Sequence, residues 1–255
     1  MDAVYFWTGP AFTLIDYVSL LSTSKNTSFD TINVFFDDRA QLPSPDNAFW
    51  KELDHIERVR KQPASALLHE YFAAFVGRPQ ASIKNRRVLS DIFRYCYLYN
   101  HGGTWFDFDT FQVRDVRQLA EEHEFLAGWE SPGVAAIGLL SFPPKHFILE
   151  KVLERLPKSL FHPSNQSDVR IGPLFFTAVI RRFGLEKAIM PTRYFYPWGT
   201  GRDLALTRWS LHPETYSIHL WGEAYRMHFL GKTLDHFKHA DSTYIDLVKE
   251  LFTGL

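Results

Sequence analysis

Leu98-Tyr99-Asn100-His101-Gly102-Gly103-Thr104-Trp105-Phe106-Asp107-Phe108-Asp109 decides the fold of this chain: a helix ends on a double glycine and a short aromatic strand follows it. Glycine supplies the left-handed conformation that closes a last helical turn, so Gly102-Gly103 reads as a C-cap. A strand has a side-chain period of two, which puts Asp107 and Asp109 on one face with Trp105 and turns Phe106 and Phe108 to the other, the core. Two carboxylates on that face stand about 7 Å apart along a strand. They repel unless a cation or ligand hydroxyls lie between and beyond them, and hard carboxylate oxygens suit Mg²⁺ or Mn²⁺. The competing reading is a pair of solvated aspartates at a loop end.

Working outward, 255 residues with 45% hydrophobic content suffice for one sizeable core. A single catalytic unit over 1–255 is expected, its two parts falling over about 1–130 and about 131–255. A formal net charge of -1, with no basic block beyond Lys84-Asn85-Arg86-Arg87, leaves no electrostatic footprint for nucleic acid. The lone Cys96 excludes an intramolecular disulfide framework and a thiolate metal cluster, and fits a reducing compartment. Asp2 to Pro10 carries an acid ahead of a short apolar run and reads as a strand rather than a signal peptide, and no apolar stretch reaches membrane-spanning length. A cytoplasmic protein is the expectation, with peripheral membrane association left open.

Strands are predicted at 3–8 and 31–36 around an apolar helix at 12–21, the pattern of a parallel α/β unit. Helices are predicted at 45–60, 66–76, 84–100, 145–156, 173–183 and 241–252, and further strands at 104–108, 124–129, 134–142, 187–190 and 216–221. The run from Pro157 to Ser167 carries the strongest loop signal. On the helix that delivers the double glycine, Asp91 and Arg94 lie three residues apart on one face, opposite an apolar stripe of Val88, Ile92, Cys96 and Tyr99. Either they form an ordinary surface pair, or they face the same pocket as Asp107 and Asp109, an acid for sugar hydroxyls and a cation for phosphate.

Ser90-Asp91-Ile92-Phe93-Arg94, followed by Tyr99-Asn100-His101-Gly102-Gly103 and then Asp107-Phe108-Asp109, resembles the DXD sugar-binding region of glycosyltransferase family 32 and of the large glucosylating bacterial toxins. Phe6-Trp7-Thr8-Gly9, Gly172-Pro173 with Thr177, and Ser217-Ile218-His219-Leu220-Trp221 are similar to further elements of that family. The resemblance implies a GT-A fold with a mixed, mostly parallel central sheet flanked by helices. It implies a nucleotide-sugar donor, a divalent cation (Mn²⁺ or Mg²⁺) and retention of anomeric configuration. It assigns Trp7, Thr8, Gly9, Asp91, Arg94, Gly103, Asp107 and Trp221 to the donor, and names Asp91, Arg94, Asp107 and Asp109 as catalytic. Asp109, Asp107 and His219 are the implied metal ligands. His219 reads equally as a core histidine beside Trp221. Two departures stand out: Ala135-Ala136 replaces an asparagine pair of many relatives, and Gly222 replaces a common asparagine.

The expected activity is hexosyl transfer, with a UDP-hexose favoured over GDP-mannose as donor and a glycan or lipid-linked glycan as acceptor in surface polysaccharide synthesis. Glu130 is the candidate nucleophile should a double displacement operate. Two rivals remain: a phosphatase of the haloacid dehalogenase type, whose motif wants Thr or Val where Phe111 stands, and a catalytically silent nucleotide-sugar or glycan-binding module.

Overall fold

Alternate residues of the first strand feed two different cores, and the architecture follows from that. The computed structural model describes residues 1–79, 83–160, 171–197, 208–221, 231–233, 235 and 242–252. In β1 (Ala3–Trp7), Ala3, Tyr5 and Trp7 enter one apolar cluster while Val4 and Phe6 enter the other. The same division holds in β2 (Ile32–Phe36), where Ile32 and Val34 oppose Phe35. A sheet buried on both faces is the condition under which parallel strands read as continuous apolar runs. Each Phe or Leu so buried contributes about 1.5–3 kcal/mol, and a one-residue slip would exchange the two cores.

Between these strands runs α1 (Leu14–Asn26). The chain continues through a short α2 (Ala48–Glu52), β3 (Val59–Pro63), α3 (Ser65–Tyr71), α4 (Arg86–His101) and β4 (Gly103–Phe106). Next come β5 (Thr110–Gln112), α5 (Val116–Glu122), β6 (Trp129–Ser131), β7 (Val134–Ala135), β8 (Leu139–Phe142), α6 (Phe147–Leu160), α7 (Pro173–Arg182), α8 (Thr192–Phe195), β9 (Ser217–His219) and α9 (Thr243–Phe252). The main sheet has the order β3-β2-β1-β4-β8, parallel except for β8. Side chains of α1 and α9 fill one face, and those of α3, α4, α6 and α7 the other. Two small antiparallel pairs, β5 with β9 and β6 with β7, stand outside the main sheet.

Several expectations need correction. The helix predicted over 45–60 is only α2 with a single further turn, and the segment then enters β3, which the sequence reading missed. β3 is a polar edge strand, Val-Arg-Lys-Gln-Pro, and charged edges that discourage pairing with other chains carry no apolar signature. The strand predicted over 134–142 is broken into β7 and β8, which join different sheets. The strand predicted over 124–129 reduces to isolated bridges at Leu126 and Gly128 before β6, and 187–190 is a tight turn from Glu186 to Ala188 with a bridge at Met190. Pro157 does not end its helix. It sits in the last turn of α6, where Leu153 and Leu156 keep the apolar stripe packed. The rest of the predicted loop, 161–167, and Gly222 lie outside the described residues. At the end of α4, Gly102 has the positive φ, 69°, that the glycine C-cap requires, with an extended ψ of -164° in place of the left-handed helical one, and its N–H bonds the carbonyl of Leu98.

Candidate active site and metal centre

In an open α/β sheet, ligands bind beyond the carboxyl ends of the strands at the point where the strand order reverses. Here the chain moves outward from β1 to β2 and β3, then returns to place β4 on the other side of β1. The crevice between the ends of β1 and β4 is therefore lined by Trp7-Thr8-Gly9 and by Asp107.

The two aspartates do not lie on the strand itself. β4 ends at Phe106, and 107–110 is a turn closed by Thr110 N–H and Thr110 Oγ1, both donating to the carbonyl of Asp107 at 3.1 and 2.8 Å. The turn brings the carboxylates closer than a strand repeat would. Trp105 and Asp107 do share a side, with the indole N–H donating to Asp107 Oδ1 at 2.9 Å, while Phe106 and Phe108 pack into the opposite core. Trp105 itself is buried in the second core, so both faces of the strand end are packed.

β5 continues from this turn and pairs with β9, setting Thr110 opposite His219; the Leu220 N–H donates to the Asp109 carbonyl at 2.8 Å. This ladder carries His219 across 110 positions of sequence to the aspartates. One ligand atom from each of Asp107, Asp109 and His219 falls within 4.8 Å of the others. Space among them is kept open by Gly138, where a Cβ would stand 2.9 Å from His219 Nε2 and 3.1 Å from Asp107 Oδ2. Two carboxylates and an imidazole around such a gap fit a small divalent cation such as Mn²⁺ or Mg²⁺. Gly138 lacks a positive φ, so alanine is tolerated by the backbone there. Gly138→Ala should therefore fold normally yet weaken Mn²⁺ binding by roughly tenfold or more, as loss of a supporting group does. Paramagnetic titration with Mn²⁺ reads this directly, and unchanged affinity would remove the cation from this gap.

Behind the aspartates, Arg94 is 3% exposed and donates to Asp107 Oδ1 at 2.7 Å and to the Ile137 carbonyl at 2.5 Å. Its guanidinium also stands 3.4 Å from Asp91 and 4.7 Å over the Trp105 ring. Asp91 and Arg94 are thus no surface pair: α4 is buried on both sides, and its Asp and Arg join the Asp107 turn. The Arg94 Nε is buried without a hydrogen-bond partner among the described residues. The family resemblance implies a contact of Arg94 with the donor's sugar and phosphate region; in the structure its terminal nitrogens bond Asp107 and the Ile137 carbonyl, which fixes the guanidinium beside the aspartate turn.

His219 Nε2 lies 3.2 Å from Asp109 and 3.8 Å from Asp107. Burial disfavours the charged ring, yet the two carboxylates outweigh it and push the His219 pKa up to about 10. The Trp221 amide, 3.3 Å from Nδ1, asks for an unprotonated nitrogen there and opposes that charge. The carboxylates, as charged partners, prevail over one long neutral contact. Without metal, this proton adds stability that is complete below the ordinary histidine pKa of about 6.5 and fades as pH rises toward 10. A metal ligated through Nε2 must expel the proton, so Mn²⁺ affinity should rise by up to about tenfold per pH unit between pH 6.5 and 8.5. The His219→Gln variant should lose that slope. An equal slope in the variant would assign the proton to another group.

The remaining predicted residues are distributed unevenly. Trp7 is 7% exposed, enclosed edge-on by Phe12 and Phe108, and its indole N–H bonds the Gly9 carbonyl. Thr8 and Gly9 follow at the crevice rim. Gly103 is at the far end of β4, opposite Phe142 and against the Asp2 carbonyl, so the structure does not bring it to the cluster. Trp221 packs on His219 with ring centroids 4.4 Å apart, has φ 57°, and buries an indole N–H that has no partner among the described residues. Glu130 is half-buried in β6; burial raises its pKa and the charge of His219 lowers it. Sequence reasoning missed Gly138, the Ile137 carbonyl and Tyr196. The Tyr196 hydroxyl accepts from Leu139 N–H, and its ring lies 5.7 Å from that of His219. A glycine after an apolar run gave no periodic signal, and Tyr196 sits in a short segment far from any motif.

Residues 17–126 match the family model described as the glycosyltransferase sugar-binding region containing a DXD motif. Among solved structures, the fold is similar to the PaToxG glycosyltransferase (14% identity, TM-score 0.50, 73% of this chain and 70% of that one). It is also similar to the ligand-free glycosyltransferase domain of the YGT toxin (10% identity, TM-score 0.54, 74% and 79%). Mouse xyloside xylosyltransferase 1 aligns over 86% of this chain and 97% of its own, with 11% identity and a TM-score of 0.52. No curated protein matches the sequence. The fold is of the GT-A type.

Proposed function

We propose that this chain, a glycosyltransferase by its DXD-containing sugar-binding region and its fold, moves a hexosyl group from a nucleotide-sugar to a hydroxyl acceptor with a divalent cation at Asp107, Asp109 and His219. The observation that carries the reading is the convergence of these three side chains at the strand-order reversal, around the gap left by Gly138. Bound there, the cation would act as a Lewis acid for a diphosphate leaving group.

The chain's own groups divide the remaining work. Arg94 fixes the Asp107 carboxylate through the 2.7 Å pair, and Asp91, 3.4 Å from the same guanidinium, is the acid assigned to the sugar hydroxyls. The buried indole N–H of Trp221, unpartnered among the described residues, is a donor suited to a phosphate oxygen. Thr8 and Gly9 border the nucleoside, with Trp7 beneath them. We favour a UDP-hexose donor over GDP-mannose and retention of configuration by front-face attack, with the leaving phosphate taking the acceptor proton. Glu130 is held in reserve as nucleophile of a double displacement. A glycan or lipid-linked glycan acceptor, in surface polysaccharide synthesis at the inner face of a membrane, completes the proposal. Attachment there is proposed to be peripheral; no helix among the described residues is long and apolar enough to cross a membrane.

Incubation with a panel of nucleotide-sugars and Mn²⁺ tests this. Slow metal-dependent release of the nucleotide is the expected result. Phosphate release from monoesters alone would make the protein a phosphatase, and binding without turnover would make it a recognition module.

A further inference from the structure

Gly9, at the end of β1, has φ 132° and is buried beneath an arginine from another element. A Cβ at Gly9 would stand 2.6 Å from a terminal nitrogen of Arg86, the first residue of α4. That guanidinium lies over Gly9, at the end of the Trp7-Thr8-Gly9 rim, on an otherwise exposed side chain. Glycine at position 9 serves two needs together: it adopts a backbone conformation closed to other residues, and it leaves room for the arginine.

Arg86, Ser90 and Arg94 follow one another at intervals of four and share one stripe of α4. The stripe therefore joins the rim of β1 to the metal cluster, with about 12 Å of helix axis between its ends. Resting on the donor reading above, a nucleoside diphosphate whose phosphates meet the cluster would extend along this stripe and bring its base to the Arg86 end. Arg94, whose terminal nitrogens are held by Asp91, Asp107 and the Ile137 carbonyl, stays at the cluster end of the stripe, about 12 Å of helix axis from Arg86.

We propose that Arg86 determines donor specificity by reading the base. A guanidinium has donors only, arranged in a planar fork, so it pairs with a base edge that presents acceptors. Uracil O4 and the O6 and N7 of guanine are such acceptors. A fork aimed at that oxo position would meet an amino group instead on cytosine or adenine, donor against donor. Arg86 therefore selects oxo-bases, a discrimination of roughly tenfold or more for a well-placed arginine.

The test is calorimetric binding of UDP, GDP, CDP, ADP and inorganic pyrophosphate, each with Mn²⁺, to the full chain and to its Arg86→Leu and Arg86→Lys variants. Arg86 is exposed at the first turn of α4, and circular dichroism with Mn²⁺ titration checks that fold and metal site persist. The native chain should bind UDP or GDP at least tenfold more tightly than CDP and ADP. Arg86→Leu should erase that difference and leave pyrophosphate binding unchanged, while Arg86→Lys, lacking the fork, should restore little of it. UDP and GDP affinities unchanged in Arg86→Leu would overturn the inference. A parallel loss for all four nucleotides and pyrophosphate would overturn it too, since that marks a simple phosphate contact. Binding of no nucleotide by the native chain would instead bring down the donor reading beneath it.

Discussion

Asp109→Asn should cut metal-dependent donor turnover by about a thousandfold, equivalent to roughly 4 kcal/mol of transition-state stabilisation. The substitution preserves volume and leaves the Asp109 carbonyl to accept from Leu220 N–H, so the pairing of β5 with β9 survives. What it removes is one of two carboxylates near His219 and an anionic oxygen of the candidate cation site. Folding stability near neutral pH should change little by comparison, because Asp109 keeps its place in the turn. The His219 pKa should fall, since Asp109 is the strongest of the influences that raise it. Nucleotide-sugar hydrolysis with Mn²⁺ measures the first effect, and NMR titration of the histidine the second. Native turnover in Asp109→Asn would remove this residue from the chemistry.

Arg94→Met has its largest expected effect on stability. Arg94 is 3% exposed and pairs with Asp107 and Asp91, whose side chains are 29% and 11% exposed. Removing one member of a buried charged set strands the others, at a cost of about 3–5 kcal/mol. For a domain of this size that lowers the melting temperature by roughly 10 °C. The Ile137 carbonyl would lose its donor, and the Asp107 carboxylate would keep the Trp105 indole N–H and the more distant His219 ring, 3.8 Å away. Urea unfolding should show a lower midpoint with an unchanged slope. Arg94→Lys should restore only part of the loss, because a single ammonium cannot span both carboxylates and the carbonyl as a planar fork does. A methionine variant within 1 kcal/mol of the native protein would refute this account of the Arg94 cluster. The two variants are thus expected to separate: Asp109→Asn stable and inactive, Arg94→Met unstable as well as impaired.

Legibility in the sequence followed burial. β1 and β2 are apolar on both faces and were readable as parallel strands, and α4 was readable to its final glycine because Gly102 alone supplies the required backbone. β3 escaped notice because an edge strand of Val, Arg, Lys, Gln and Pro trades apolar pattern for protection of its open side. Alternation continues through Phe106 and Phe108, so the sequence reads the aspartate turn as strand. Only the hydrogen bonds of Thr110 to the Asp107 carbonyl show that the strand has already ended.

By itself, the sequence determined the kind of chemistry: Ser90 to Arg94 and Gly102 to Asp109 carry local patterns that a helix cap and a short strand translate directly into position. The tertiary structure decided which groups meet. His219 reaches the aspartates through the pairing of β5 with β9, Gly138 lines them because the chain breaks between β7 and β8, and Arg86 covers Gly9 because α4 begins beside the end of β1. The physical reason is range. Capping and alternation act over a few residues and leave a trace in the residues themselves, whereas strand pairing and the space left by an absent Cβ join residues that share no local pattern.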